Sequence, residues 1–77
     1  MDDLILYTQP GCADSRHVRD WLTERGVRFS ERSVVDADSA RALAATGIFA
    51  TPLLVRGDRH VFGFRPDALA ILITPAI

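Results

Sequence analysis

Residues 4–15 read Leu4-Ile5-Leu6-Tyr7-Thr8-Gln9-Pro10-Gly11-Cys12-Ala13-Asp14-Ser15. A short apolar run ends at Thr8-Gln9-Pro10-Gly11, the length and punctuation of a buried strand followed by a turn. From Cys12 the period changes. Val18, Trp21, Leu22 and Arg25 recur at three- and four-residue steps, the spacing of one helix face, and Gly26 stops the helix.

Outward from this unit the pattern repeats. Phe29 to Val35 returns to strand-like composition, and Asp36 and Asp38 are good N-caps for a second helix with Ala40, Leu43 and Ala44 as its apolar face. Gly47 ends that helix. Leu53-Leu54-Val55 predicts a third strand and Val61-Phe62 a fourth. Between them Gly57-Asp58 is a two-residue hairpin turn, with glycine supplying the positive φ of a type II′ turn. Pro66 suits the first position of a last helix, because its missing N–H would be unpaired there anyway. That helix runs through Ala68 to Ile73, before Pro75. The order β-α-β-α-β-β-α predicts an α/β fold: a mixed four-stranded sheet flanked by three helices. A helix between the first two strands makes them parallel with a right-handed crossover, and the hairpin adds antiparallel strands.

The 77 residues suffice for one domain over residues 1–77, with no repeats, linkers or low-complexity segments. A chain this short buries only about 60% of its unfolded surface, so its core is thin. One cysteine forbids an internal disulfide, and two scattered histidines give no metal-ligand spacing. Neither a metal nor a bound cofactor is expected. A lone thiol points to a reducing compartment, and Met1-Asp2-Asp3 lacks the basic start of an export signal, so a cytoplasmic protein is expected. The longest apolar run, Ala68 to Ile73, is too short to span a bilayer. Net charge is −1 with both signs interspersed, which gives no electrostatic footprint for nucleic acid or anionic lipid. A monomer is expected.

Cys12 follows a Pro-Gly turn and directly precedes a helix. There the exposed N–H groups and the positive end of the dipole favour thiolate, the nucleophile of disulfide exchange. Arg16 adds positive charge one turn on, and Asp14 opposes it. The alternative is a small buried hydrophobe, the usual state of a lone cysteine. Ser15, at i+3, shares the helix face of Cys12 and is either a hydrogen-bond donor to the thiolate or a cap or solvated hydroxyl. Thr51-Pro52 is either an ordinary trans bond or a cis one, which would expose the Thr51 backbone to an added peptide strand. Tyr7 either walls the site or packs in the core. Trp21 has core spacing with Val18 and Leu22, and His17 and His60 read as solvated.

Taken together, Tyr7 to Ser15, then Thr51-Pro52, then Gly63-Phe64-Arg65-Pro66-Asp67, resemble the glutaredoxin family, over nearly the whole chain from Leu4 to about Ile73. The resemblance implies a thioredoxin-like fold, a cis Thr51-Pro52 bond and a reactive Cys12. The Gly63-to-Asp67 segment is similar to that of the small redoxins that donate electrons to ribonucleotide reductase, which carry two active-site cysteines and are recharged by thioredoxin reductase. Here Ser15 stands in place of their second cysteine, as it does in monothiol glutaredoxins, which use glutathione or bind an iron–sulfur cluster. The usual glycine pair of those proteins is replaced by Gly63-Phe64, only Asp67 matches their acidic pair, and Gln9 stands where a basic residue often precedes the cysteine.

The resemblance thus implies a thiol-disulfide oxidoreductase with Cys12 and Ser15 catalytic. Its substrates are disulfide-containing or thiol-capped proteins. Its co-substrate is glutathione or another low-molecular-weight thiol, with a thioredoxin-reductase-type protein as the other candidate reductant. Thr51 and Pro52 would orient the substrate, Arg16, Phe64, Arg65 and Asp67 would form the rim, and Tyr7, Gln9, Pro10 and Gly63 complete the expected binding set. A non-catalytic binding module and an iron–sulfur carrier are the alternative functions.

Overall fold

Among the described residues, 3–74 of the computed structural model, the elements follow the expected order. They are β1 (Leu4–Thr8), α1 (Ala13–Glu24), β2 (Ser30–Ser33), α2 (Ala37–Ala45), β3 (Leu53–Arg56), β4 (Arg59–Phe62) and α3 (Pro66–Ile73). The Met1-Asp2 start and the expected stop at Pro75 lie outside the described residues. The strands form one mixed sheet in the order β2-β1-β3-β4. β1 pairs parallel with β2, while β1–β3 and β3–β4 are antiparallel. Gly57 turns the hairpin with φ of +61°, the positive value that the Gly-Asp pair predicts.

Strand alternation divides the core into two layers. Leu4 and Leu6 of β1 face α1 and α3, where Leu6 packs with Val18, Trp21, Leu22, Leu54, Leu69 and Leu72. Ile5 and Tyr7 face the other way and pack with Leu43 of α2 and Leu53. The sheet is therefore covered on both faces, which is why β1 and β3 read as unbroken apolar runs. Arg56 of β3 ties down the end of α3, its Nη1 donating to the carbonyls of Leu72 at 2.9 Å and Thr74 at 3.1 Å.

Two expectations are corrected. β2 is shorter than Phe29 to Val35, because the chain turns at Ser33, whose carbonyl accepts the Asp36 N–H at 3.1 Å. Val34 then packs in the layer under α2 and Val35 is exposed. On α2 the buried residues are Ser39 and Leu43, and Ala44 faces solvent. The N-cap carboxylate of Asp36 takes both the N–H and the hydroxyl of Ser39, at 3.2 and 3.0 Å. Ser39 is thereby satisfied and can sit where an alanine was expected.

Candidate active site

The turn before α1 is built by Pro10 and Gly11. The Cys12 N–H donates to the Gln9 carbonyl at 3.1 Å, and Gly11 has φ of +79°, a value that suits glycine at the third position of a type II turn. The chain then enters α1 with Cys12 as its N-cap. A cap residue normally offers a side-chain oxygen to an unpaired N–H of the first turn. Here the thiol takes that place: Cys12 Sγ accepts the Ser15 N–H at 3.4 Å. Ser15 is buried, and its hydroxyl accepts the Gln9 N–H at 3.4 Å. That bond holds the oxygen beside the turn that carries Cys12.

Hydrogen bonds from the Ser15 hydroxyl and then the Ser15 N–H hold the Cys12 thiol below the ordinary value, with a smaller contribution from the Asp14 N–H. Burial and the Asp14 carboxylate push the other way and lose. The donors of the first turn thus act as expected, while Arg16, expected to add its charge, is not among the causes. Cys12 is half-exposed rather than sealed in the core, which disposes of the buried-hydrophobe alternative.

Because the folded chain prefers thiolate, Cys12 adds stability as pH rises from its folded value towards the unfolded thiol value of about 8.5, and nothing below the folded value. Urea midpoints of wild type and Cys12→Ser should diverge across that window in favour of the wild type. Alkylation of Cys12 by iodoacetamide against pH should show a midpoint below about 8.5, raised by Ser15→Ala and lowered slightly by Asp14→Asn. A Ser15→Ala midpoint equal to the wild type would mean that the hydroxyl does not stabilise the thiolate.

A cleft of about 480 Å³ opens beside the sulfur, lined by Thr8 to Cys12, Ser15, Arg16, Arg19, Glu31 and Ser33. Strand parity explains its floor. Thr8 lies on the α1 side of β1 with Leu4 and Leu6, and the parallel register sets Glu31 beside Leu6 and Ser33 beside Thr8. Glu31 Oε2 accepts the Thr8 hydroxyl at 3.0 Å and Arg19 Nη1 at 3.2 Å. The Ser33 hydroxyl oxygen is buried with no partner among the described residues.

Of the expected binding set, Gln9, Pro10 and Arg16 line this cleft. Thr51 stands beside it, its hydroxyl donating to Gln9 Oε1 at 3.3 Å. The Thr51-Pro52 bond is cis, and the Gly63 N–H donates to the Pro52 carbonyl at 2.8 Å, which carries the Gly63-to-Asp67 segment up to the same end of the sheet. Pro52 itself is buried. Phe64 lies on the other flank of α1, against His17, and Arg65 and Asp67 are exposed at the start of α3. Tyr7 is a correction: at 4% exposure it packs in the α2 layer, because an odd position on β1 points away from the cleft. Thr8, Arg19, Glu31 and Ser33 were not anticipated. Arg19 had a signal, since it lies i+3 from Arg16 and i+4 from Ser15 on one helix face. Glu31 and Ser33 had none before the β1–β2 register was known. Among the described residues no three histidine, cysteine, aspartate or glutamate side chains converge on a possible metal position.

A sheet in this order, a half-exposed thiol capping the first helix and a cis-proline before the third strand together define a thiol-redox protein of the thioredoxin fold. Residues 4–61 match the family model described as Glutaredoxin, and the chain belongs to the glutaredoxin family. It is 28% identical over 70 residues to the glutaredoxin-like protein NrdH of Lactococcus lactis subsp. cremoris, covering 90% of this chain and 97% of that one. Among solved structures it is similar to the glutaredoxin-like NrdH-redoxin from Escherichia coli, at 30% identity and a TM-score of 0.80, covering 97% of this chain and 99% of that one. The glutaredoxin from Archaeoglobus fulgidus, at 22% identity and a TM-score of 0.84 over 97% of this chain and 89% of that one, shares the fold. No described helix is long and apolar enough to cross a membrane.

Proposed function

We propose that the protein reduces mixed disulfides with one nucleophilic cysteine. The observation that carries this reading is the pair of Ser15 hydrogen bonds that hold the Cys12 thiolate at the mouth of a cleft. The Cys12 thiolate attacks the small-thiol sulfur of a thiol-capped protein. The old S–S bond breaks, the protein leaves as its thiolate, and Cys12 carries the small thiol in a new disulfide. A second small thiol, as thiolate, attacks that adduct, and Cys12 departs as thiolate again. The leaving sulfur of Cys12 receives the same Ser15 donors that stabilised it as nucleophile, so one arrangement serves both half-reactions.

Ser15 cannot resolve the adduct, because an alkoxide is not available at neutral pH and no second cysteine exists in the chain. Recharging therefore comes from outside. Glutathione or another low-molecular-weight thiol is the proposed reductant. The E. coli NrdH-redoxin has a thioredoxin-like activity profile, which favours a thioredoxin-reductase-type protein as the second candidate. Gln9 and Arg16, which line the cleft with Cys12, and Thr51, bonded to Gln9, would meet the substrate first. A cytoplasmic, monomeric protein is the setting that suits an unpaired reactive thiol.

Mass spectrometry after incubation with oxidised glutathione tests the first step: one glutathione adduct on Cys12 is expected, and none on Cys12→Ser. Adding reduced glutathione in one arm and thioredoxin reductase with NADPH in the other identifies the reductant by loss of the adduct. Failure to form any adduct at pH 8 would overturn exchange at Cys12.

A further inference from the structure

The antiparallel register of β1 and β3 pairs Leu4 with Arg56, Ile5 with Val55, Leu6 with Leu54 and Tyr7 with Leu53. Continued for two more residues, that register sets Gln9 opposite Thr51. Backbone pairing cannot follow it there. Pro52 has no N–H to donate, and its carbonyl is taken by the Gly63 N–H at 2.8 Å. The carbonyl of Thr8 is turned to the other side of β1, where it accepts the Val34 N–H at 2.9 Å. At the next position the two chains are joined by side chains instead, the Thr51 hydroxyl donating to Gln9 Oε1 at 3.3 Å.

Gln9 is also fixed to the nucleophile. Its carbonyl accepts the Cys12 N–H at 3.1 Å, and its own N–H donates to the Ser15 hydroxyl at 3.4 Å. One residue thus holds the turn that carries the thiol, the hydroxyl that stabilises the thiolate and the loop before β3. That loop has few other ties. Phe49, two residues before Thr51, is 68% exposed, and the N–H and carbonyl of Thr51 make no hydrogen bond among the described residues. Two free backbone groups at the end of a strand are what an extended peptide pairs with.

The geometry points to Gln9 as a positioning residue that sets a peptide held along Thr51 in register with the Cys12 sulfur, a reading that rests on the exchange chemistry above. The attacking sulfur must meet the disulfide in a fixed orientation, so a small displacement of Thr51 relative to Cys12 slows the reaction of a substrate docked there. A disulfide without a peptide backbone makes no use of Thr51 and gains nothing from the brace. Gln9 therefore sets a specificity: it makes Cys12 favour disulfides carried by an extended peptide over small ones.

The experiment compares two disulfides that deliver the same small thiol to Cys12. One is an extended peptide whose single cysteine is capped by 2-mercaptoethanol, and the other is hydroxyethyl disulfide. In both, the Cys12 thiolate attacks a mercaptoethanol sulfur and forms the same adduct. The peptide thiolate leaves from the first, and mercaptoethanol thiolate from the second. Adduct formation, followed by mass spectrometry, is read as the ratio of the peptide rate to the small-disulfide rate, so a change in the reactivity of Cys12 itself cancels. Gln9→Leu and Thr51→Val should each lower that ratio about fivefold, the yield of one hydrogen bond. The loss should appear in the limiting rate at saturating peptide, because misalignment acts on the reacting complex. Thr51→Ser, which keeps the hydroxyl, should keep the ratio. The Gln9→Leu/Thr51→Val double variant should lose no more than either single one, since both remove the same bond. A ratio that survives either single variant, losses that multiply in the double variant, or a loss confined to the half-saturating peptide concentration overturns the brace and leaves the exchange chemistry standing. A wild type that forms the adduct with neither disulfide overturns the exchange chemistry and the brace with it.

Discussion

Ser15→Cys is expected to convert the one-thiol protein into one that closes a disulfide within its own active site. Ser15 N already lies 3.4 Å from Cys12 Sγ, and the Ser15 hydroxyl is within hydrogen-bonding reach of the same sulfur. The Arg16 N–H donates to the Cys12 carbonyl at 3.3 Å, so the two residues are joined by a full helical turn. One turn separates Cα atoms by a distance within the range that disulfides bridge. A sulfur at position 15 would thus sit against Sγ with little backbone movement. Cys12 would still be the attacking thiol, since it faces the cleft and position 15 is buried. The introduced thiol would then attack the Cys12 adduct as thiolate, expel the small thiol and leave an internal disulfide. The expected results are two free thiols in the reduced variant and none after oxidation. The oxidised variant should also accept electrons from thioredoxin reductase. Loss of the Ser15 hydroxyl should at the same time raise the Cys12 midpoint in alkylation. If oxidation gives only glutathione adducts and intermolecular dimers, the two side chains do not meet across the first turn of α1.

Leu22→Ala should have the largest effect on stability. Leu22 is fully buried at the centre of the α1–α3 layer, where it packs with Leu6, Val18, Leu54 and Leu69. Removing its isobutyl group costs about 2–5 kcal/mol in transfer and cavity energy. A typical domain is held by about 5–15 kcal/mol, and one this small sits near the low end. The urea midpoint should therefore drop by at least about 1 M, and a sizeable unfolded fraction should be present at physiological temperature. In that fraction the Ser15 donors no longer reach Cys12, so alkylation near neutral pH should slow towards the rate of an ordinary thiol. Ile71→Ala is the control, because Ile71 is 66% exposed on α3 and its loss should change stability by no more than about 0.5 kcal/mol. Equal losses for the two variants would contradict a core in which Leu22 is central and Ile71 peripheral.

The sequence by itself determined the element order and the place of the thiol. Four apolar residues, a Pro-Gly turn and a change of period at Cys12 are local signals, and each is set by backbone sterics or helix periodicity that neighbours do not alter. The same holds for Gly57 in the hairpin and Pro66 at the first position of α3. Tertiary structure decided which residues surround the sulfur. Tyr7 went to the core and Thr8 to the cleft because adjacent strand positions point to opposite faces, and only the packed sheet shows which face carries α1. Glu31 and Ser33 joined the cleft through a parallel register that no short-range signal encodes. The end of β2 and the buried side of α2 were likewise settled by a turn at Ser33 and a cap at Asp36, hydrogen bonds that compete with apolar periodicity and prevail in short elements. Sequence spacing offers Cys12 the donors of the helix start, the Ser15 hydroxyl and the added charge of Arg16. The folded chain uses the donors, Ser15 foremost, because a donor within hydrogen-bonding distance outweighs an exposed charge screened by water.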